Sequence, residues 1–346
     1  MEDFNVQFTR PGAENQQNPG GNYAAYAYMP QGRKGKKKWI IAGIILLVVI
    51  IAVIAAAAAA ACSSDSSYAG GDPYVGILHI EGEISSSSDS TSTYQQDWLL
   101  DQVETMKNDD SNEGILLYVD SPGGSVYPTD ELYLKLMEYK EETDRPIYAY
   151  FGETAASGAY YISMAADWIS ANRNCTTGSV GVYVGPIIDA SGLLDKVGIK
   201  VEIVKSAENK AMGNSYQPLT DEQRQIYQDY VNECYEQFVS IVADGRGMTV
   251  DQVKPLADGR IYTASDAEEK GLIDEVETFE EAEDGMKEAL DLDCDFTDIA
   301  YVPETNLMDI LMGMTSSNED PAQTDLQIAM DLLNGGSAPE VKYLMS

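Results

Sequence analysis

The spacing of apolar and polar positions changes several times along the chain, and each change predicts a different element. Trp39 to Ala61 runs without a charged residue, long enough to cross a bilayer as one helix, for which about 20 residues suffice. Ile40–Ile54 carries most of its apolar character, and Ala55–Ala61 is only mildly apolar. Tyr74–Ile80 then alternates, as a strand does, and Asp97–Asn108 has helical spacing. Gly114–Val119 is a compact apolar run that ends at Asp120 and a Ser-Pro-Gly-Gly sequence, which predicts a strand and a tight turn. Thr129–Lys140 returns to helical spacing, and Pro146–Tyr150 predicts another strand. Ser157–Ala166 is small and apolar, as a buried helix would be. Trp168–Ala171, Ser179–Val184 and Val201–Val204 read as further strands. Thr220–Ala243 predicts a long amphipathic helix behind a Thr-Asp-Glu cap, and Thr249–Leu256 a short helix. Strands alternating with helices imply an α/β domain with a largely parallel sheet. No internal repeat is present.

Residues 1–38 are rich in Gln, Asn, Gly, Pro and Tyr without periodicity, which predicts a disordered head. Residues 39–61 are the membrane helix, 62–73 a Ser/Gly/Asp linker and 74–303 the folded domain, with a mobile Ser/Thr-rich loop at Ser85–Thr93. Residues 304–346 are an acidic tail with scattered Leu and Met, expected to be poorly ordered or to pack late on the domain. Its end, Tyr343-Leu344-Met345, is apolar enough to be a self-substrate. Arg33, Lys34, Lys36, Lys37 and Lys38 precede the apolar run, and Asp65 and Asp72 follow it. The positive-inside rule therefore puts the head in the cytoplasm and everything after Ala61 outside, on a single-pass anchor in the cell membrane. The head is too long for an ordinary secretory signal peptide, which favours a retained anchor. A rival reading is Ala59-Ala60-Ala61-Cys62 as a lipoprotein processing site; it leaves the domain tethered to the same outer face.

A formal net charge of −35 argues against nucleic-acid binding and suits solubility at a cell surface. Cys175, Cys234 and Cys294 lie far apart without metal-ligand spacing, so buried free thiols are expected, although export would allow a disulfide. No cofactor or metal is called for.

The chemistry concentrates in four places. In Ser121-Pro122-Gly123-Gly124 the two glycines permit backbone angles that could aim a main-chain N–H into a cleft, as an oxyanion site needs; the bland reading is a turn. Ser157 is flanked by small residues, after a strand and before a helix, where it is either a nucleophile or an ordinary N-cap; Gly158 would supply a second amide. A serine nucleophile needs a base, yet the chain has one histidine, His79, in the alternating strand Tyr74–Ile80, where a structural role is expected. That makes a lysine the leading candidate. Lys210 is that residue, or else a solvated loop lysine. A lysine acts as base only when uncharged, which requires a dry pocket free of carboxylates, because an ammonium ordinarily holds its proton up to a pKa of about 10.4. Glu208 must then point away, and Lys205 is a decoy. Ser179 could orient the Lys210 amine, or be a turn serine.

Taken together, the ordered segments resemble the SppA family of signal peptide peptidases, the Ser–Lys proteases of peptidase family S49. Six carry the resemblance: Glu81-Gly82-Glu83-Ile84, Ser121-Pro122-Gly123-Gly124, Ala156-Ser157-Gly158-Ala159-Tyr160-Tyr161, Thr177-Gly178-Ser179-Val180-Gly181-Val182, Lys205-Ser206-Ala207-Glu208-Asn209-Lys210, and Gly259-Arg260-Ile261-Tyr262-Thr263 followed by Ala267 and Gly271-Leu272-Ile273-Asp274. The chain departs from the family pattern at Ala159, Ala207 and Asn209. The resemblance implies a spiral of ββα units like that of Clp protease and the crotonases. It implies Ser157 as nucleophile, Lys210 as general base, Ser179 as the residue orienting the lysine, and the Gly124 and Gly158 amides as oxyanion donors. It also implies a homo-oligomeric ring or dome in which neighbouring subunits complete each site, and substrates that are signal-peptide remnants and other small or unfolded peptides. Two alternatives belong to other classes: an inactive homologue serving as a membrane scaffold or regulator, and a crotonase-like acyl-CoA enzyme, which the acidic exported domain disfavours.

Overall fold

The computed structural model describes residues 71–86, 92–301 and 341–345, all within one compact unit, Tyr68–Ser346. The expected head, the apolar run 39–61, most of the linker, residues 87–91 of the serine-rich loop and residues 302–340 of the tail lie outside the described residues. Among the described residues no helix is long and apolar enough to cross a membrane.

The chain begins with β1 (Tyr74–Glu81), α1 (Gln96–Lys107), β2 (Asn112–Ser121), β3 (Gly123–Ser125), α2 (Val126–Thr143), β4 (Ile147–Ala156), α3 (Gly158–Ser163), β5 (Trp168–Ala171), β6 (Thr176–Gly178) and β7 (Tyr183–Val184). It continues through α4 (Ser191–Lys196), a 3-10 turn at Glu208–Ala211, α5 (Asp221–Gly245), α6 (Val250–Val253), β8 (Ile261–Thr263), α7 (Ala264–Glu269), β9 (Glu275–Val276), α8 (Phe279–Leu290), β10 (Asp295–Ile299) and β11 (Val341–Leu344). The main sheet runs β10-β1-β2-β4-β5-β9 and is parallel along that whole path. β6 extends the far end of β4 in parallel, and β8 closes on β6 antiparallel. A second, antiparallel sheet runs β3-β11-β7.

Both faces of the main sheet are covered, which is why β2 reads as an unbroken apolar run rather than an alternation. Ile115, Leu117 and Val119 join the larger core with Leu78, Ile80, Phe151, Tyr160 and Phe238. Leu116 faces the other way, toward Val75, Ile77, Tyr150 and Met286 of α8. α5 starts where the Thr-Asp-Glu cluster predicts: Thr220 accepts from the Gln223 amide while Gln223 reaches back, a complete capping box.

Two predicted strands are corrected. Over Ser179–Val184 only Tyr183–Val184 pairs; the ladder stops at Gly178, because Ser179 turns to φ 51°. Val201–Val204 pairs with no described strand and is exposed, Val204 at 93%. Its apolar residues mark an edge without a neighbouring strand among the described residues, and a strand needs a partner for its ladder. The predicted helix Ser157–Ala166 shortens to Gly158–Ser163 but is fully buried.

Candidate active site

Parallel pairing of β4 with β2 and β6 delivers Ser157 to the end of the sheet. Its amide donates to the Gly178 carbonyl (2.8 Å), and its carbonyl accepts from the Tyr161 amide (2.9 Å). Held at both ends, Ser157 adopts φ 55° and ψ −118°. Such a conformation costs an L-residue on the order of 1–3 kcal/mol and persists only where the surroundings impose it. The residue is 1% exposed, and its Oγ is buried without a hydrogen-bond partner among the described residues. An unsatisfied buried hydroxyl is costly and calls for an explanation; readiness for a reacting partner is one.

The Pro-Gly-Gly segment comes to the same place. Ile84 clamps it: the Ile84 amide donates to the Gly123 carbonyl (2.9 Å), and the Ser125 amide donates to the Ile84 carbonyl (2.8 Å). A Cβ on Gly158 would lie 3.2 Å from the Gly124 nitrogen and 2.7 Å from Thr129 Oγ1. A Cβ on Gly123, which sits at φ 91°, would lie 2.6 Å from the Gly158 nitrogen. The Gly124 and Gly158 nitrogens therefore lie close together, at a place where only glycine leaves room. Immediately upstream, Asp120 accepts from the Thr154 amide (3.1 Å), and burial pushes its carboxyl above the usual range.

Ser179 is buried beside Gly178, and its amide donates to the Arg260 carbonyl (2.8 Å), within the predicted closing segment. It lines a cleft of ≈ 560 Å³ with Val182, Tyr183, Tyr235 and Leu344. Lys210 is not brought to Ser157 within one chain. It lies exposed on the 3-10 turn Glu208–Ala211, and its side chain makes no hydrogen bond or ion pair with a described residue. Glu208 is engaged elsewhere, paired with the decoy Lys205 at 2.8 Å. Among the described residues no dry pocket of the kind a lysine base requires surrounds Lys210. His79 bonds Glu81 (3.2 Å) and Asp298 (2.5 Å) across β1 and β10, a structural arrangement. The thiols of Cys175, Cys234 and Cys294 are free, and burial pushes Cys175 up to about 12.

The periodicity of the sequence misses one participant. β11 lies in the groove, with Tyr343 opposite Gly124 and Leu344 opposite Gly123. Only the apolar character of these residues hints at it; a four-residue strand pairing across the length of the domain leaves no local signal.

A buried serine in a strained turn beside two closely placed glycine nitrogens is compatible with acyl-transfer chemistry. Comparison with known proteins points the same way. Residues 139–293 match the model of peptidase family S49. A protein of Enterococcus faecium assigned as signal peptide peptidase SppA is 38% identical over 232 residues, 66% of this chain and 67% of that protein. A protein of Methanocaldococcus jannaschii assigned as a protease is 36% identical over 185 residues, 54% of this chain and 58% of the relative. Protease 4 of Haemophilus influenzae is 32% identical over 209 residues, 60% of this chain but 33% of that longer protein. The chain belongs to peptidase family S49 and is a serine protease.

Proposed function

We propose that Ser157 is the nucleophile of a membrane-anchored endopeptidase and that Lys210 of a neighbouring copy is its base. The buried Ser157 hydroxyl, without a hydrogen-bond partner among the described residues and next to Gly158, whose nitrogen lies close to that of Gly124, carries the reading. An uncharged Lys210 amine takes the hydroxyl proton as Oγ attacks a peptide carbonyl, and the two amides stabilise the oxyanion. The lysine then protonates the leaving amine, and water activated by the same amine hydrolyses the acyl-enzyme. Ser179 orients the lysine. The fold is the Clp protease/crotonase-like spiral, and the working form is a ring or dome.

The segment that bears Lys210 supports a shared site. From α4 to the 3-10 turn it exposes Leu193, Val197, Ile199, Val201 and Val204. A second copy covering this edge would supply both the missing strand partner and the dry surroundings that the amine needs. The uncharged run 39–61 and its basic flank support anchoring, with the domain on the outer face. Substrates are then signal-peptide remnants and other small or unfolded peptides reaching that face. The exposure of Lys210 also favours a second reading, an inactive scaffold. A fluorophosphonate probe separates the two. Labelling at Ser157, abolished together with peptide hydrolysis in Ser157→Ala and strongly slowed in Lys210→Ala, is expected; no labelling at Ser157 contradicts the enzyme.

A further inference from the structure

β4 changes partners on its way to Ser157. Residues 148–151 pair with β5, and residues 154–156 pair with β6. Toward β2 the same stretch is irregular. Val119 faces Phe151, yet Ser121 faces Ala155, so β4 takes four steps where β2 takes two. Residues 152–154 are therefore a bulge, and a bulge bends its strand and re-aims whatever follows. Here Ala155, Ala156 and Ser157 follow. A corner of this kind takes main-chain groups out of the ladder, so something else must satisfy them and fix its depth.

Asp120 does both. It stands on β2 between the two mismatched pairs, and its Oδ1 accepts from the Thr154 amide (3.1 Å), at the end of the bulge. Its own carbonyl accepts from the Gly82 amide (3.1 Å), which begins the segment whose Ile84 clamps Gly123 and Ser125. One residue thus joins the two halves of the site. Its main chain belongs to the strand that leads into the glycine pair, and its carboxylate holds the strand end that bears the serine. The other contacts of the corner reach in from elsewhere. Thr177 Oγ1 donates to the Ala155 carbonyl (2.6 Å) and the Asn172 amide to the Phe151 carbonyl (2.9 Å), but both tie β4 to the β5 and β6 side. Gly152 makes room, since a Cβ there would stand 3.0 Å from Tyr118 Oη.

Resting on the reading of Ser157 as nucleophile, we propose that Asp120 is a positioning residue for hydrolysis, whose carboxylate oxygen sets the depth of the bulge and with it the placement of Ser157 against Gly124 and Gly158. It acts through the Thr154 amide rather than on substrate. The place requires an acceptor at a fixed reach, not a charge. An asparagine offers its side-chain oxygen to the same N–H; an alanine leaves the Thr154 amide without this partner and lets the bulge relax. A shift of about 1 Å in a reacting group costs on the order of a hundred-fold in rate. Asp120 does not line the cleft of ≈ 560 Å³ beside Ser179, so the loss falls on kcat and leaves KM in place.

Asp120→Ala and Asp120→Asn in the full chain test this, with thermal melts to verify that both fold. Two rates are read: labelling by a fluorophosphonate probe, located by mass spectrometry, and hydrolysis of a fluorogenic peptide. Asp120→Ala is expected to label at Ser157 and to turn over about a hundred-fold more slowly than the parent at a KM within about two-fold, and Asp120→Asn to recover both rates to within about three-fold. A folded Asp120→Ala with parental rates overturns the proposal, and so does a loss confined to KM. An Asp120→Asn as slow as the alanine variant also overturns it, because the charge and not the acceptor would then matter. Should the alanine variant not fold, Asp120→Glu takes its place. It keeps charge and acceptor but reaches one methylene further, so it is expected to be slow, and parental rates would contradict a depth set by side-chain length. A parent that is not labelled at Ser157 overturns the nucleophile reading itself, and this role with it; a parent labelled there with unmoved variants overturns the role alone.

Discussion

Ser157 stands in a backbone conformation that side chains resist, and it is not alone. Four non-glycine residues among those described have positive φ. Asp144 and Asp291 close helices, as αL caps do; the other two are Ser157 and Ser179. Strain confined to two predicted site residues fits positions held for chemistry rather than for stability. Ser157→Gly should therefore melt higher than Ser157→Ala by about 1 kcal/mol, since glycine adopts this φ without penalty, while both lose hydrolysis. An alanine variant as stable as the glycine one would show that the turn is unstrained. Asp120 adds a pH-dependent weakness. Burial raises its carboxyl pKa in the folded state, so the fold favours the protonated form and is weakened as pH rises through that value. Asp120→Asn keeps an acceptor for the Thr154 amide and removes the buried charge. Its melting temperature should exceed the parent's at pH 8 and match it near pH 3, below the usual carboxylate range of about 3.9; a gap that persists at pH 3 would contradict this. Ser157, Gly158 and the glycine pair are legible in the sequence because small residues around one serine mark a tight strand-to-helix passage. The burial of Tyr343 is not, because the groups around it come from α2, α3 and α5 and meet only in the fold.

Among the elements, the parallel strands are the readable part. β1, β2 and β5 fall where apolar runs or alternation place them, and α5 where its capping residues do. The short elements after α5 escape periodicity: β8 and β9 are three and two residues long. They are secured by side chains instead. Arg246, at the end of α5, donates to Asp274 through two nitrogens (2.9 and 2.7 Å) and to the Gly271 carbonyl (2.9 Å). Asp274 also accepts from the Ile169 amide at the start of β5 (2.8 Å). Arg246 is almost wholly buried, so Arg246→Ala leaves a carboxylate in a poorly solvated place. It should cost about 3–5 kcal/mol in chemical denaturation. A loss under about 1 kcal/mol would mean the pair is solvated in solution.

On the scale of the whole molecule, the proposed apparatus is divided. The chain buries Ser157 beside closely placed glycine nitrogens and leaves Lys210, the proposed base, exposed. Val201–Val204 reads as a strand from its β-branched apolar residues, yet it pairs with no described strand, and a one-chain pattern cannot say whether a partner comes from elsewhere. The most direct test mixes two disabled proteins. Ser157→Ala and Lys210→Ala chains are purified separately, unfolded and refolded together so that mixed assemblies form, and assayed on a fluorogenic peptide. Each alone should be almost inactive, and the mixture should recover a substantial fraction of parental turnover, because some sites then join an intact serine from one chain to an intact lysine from its neighbour. A mixture as inactive as its components, or a Lys210→Ala chain with full activity by itself, would contradict the shared Ser157–Lys210 site.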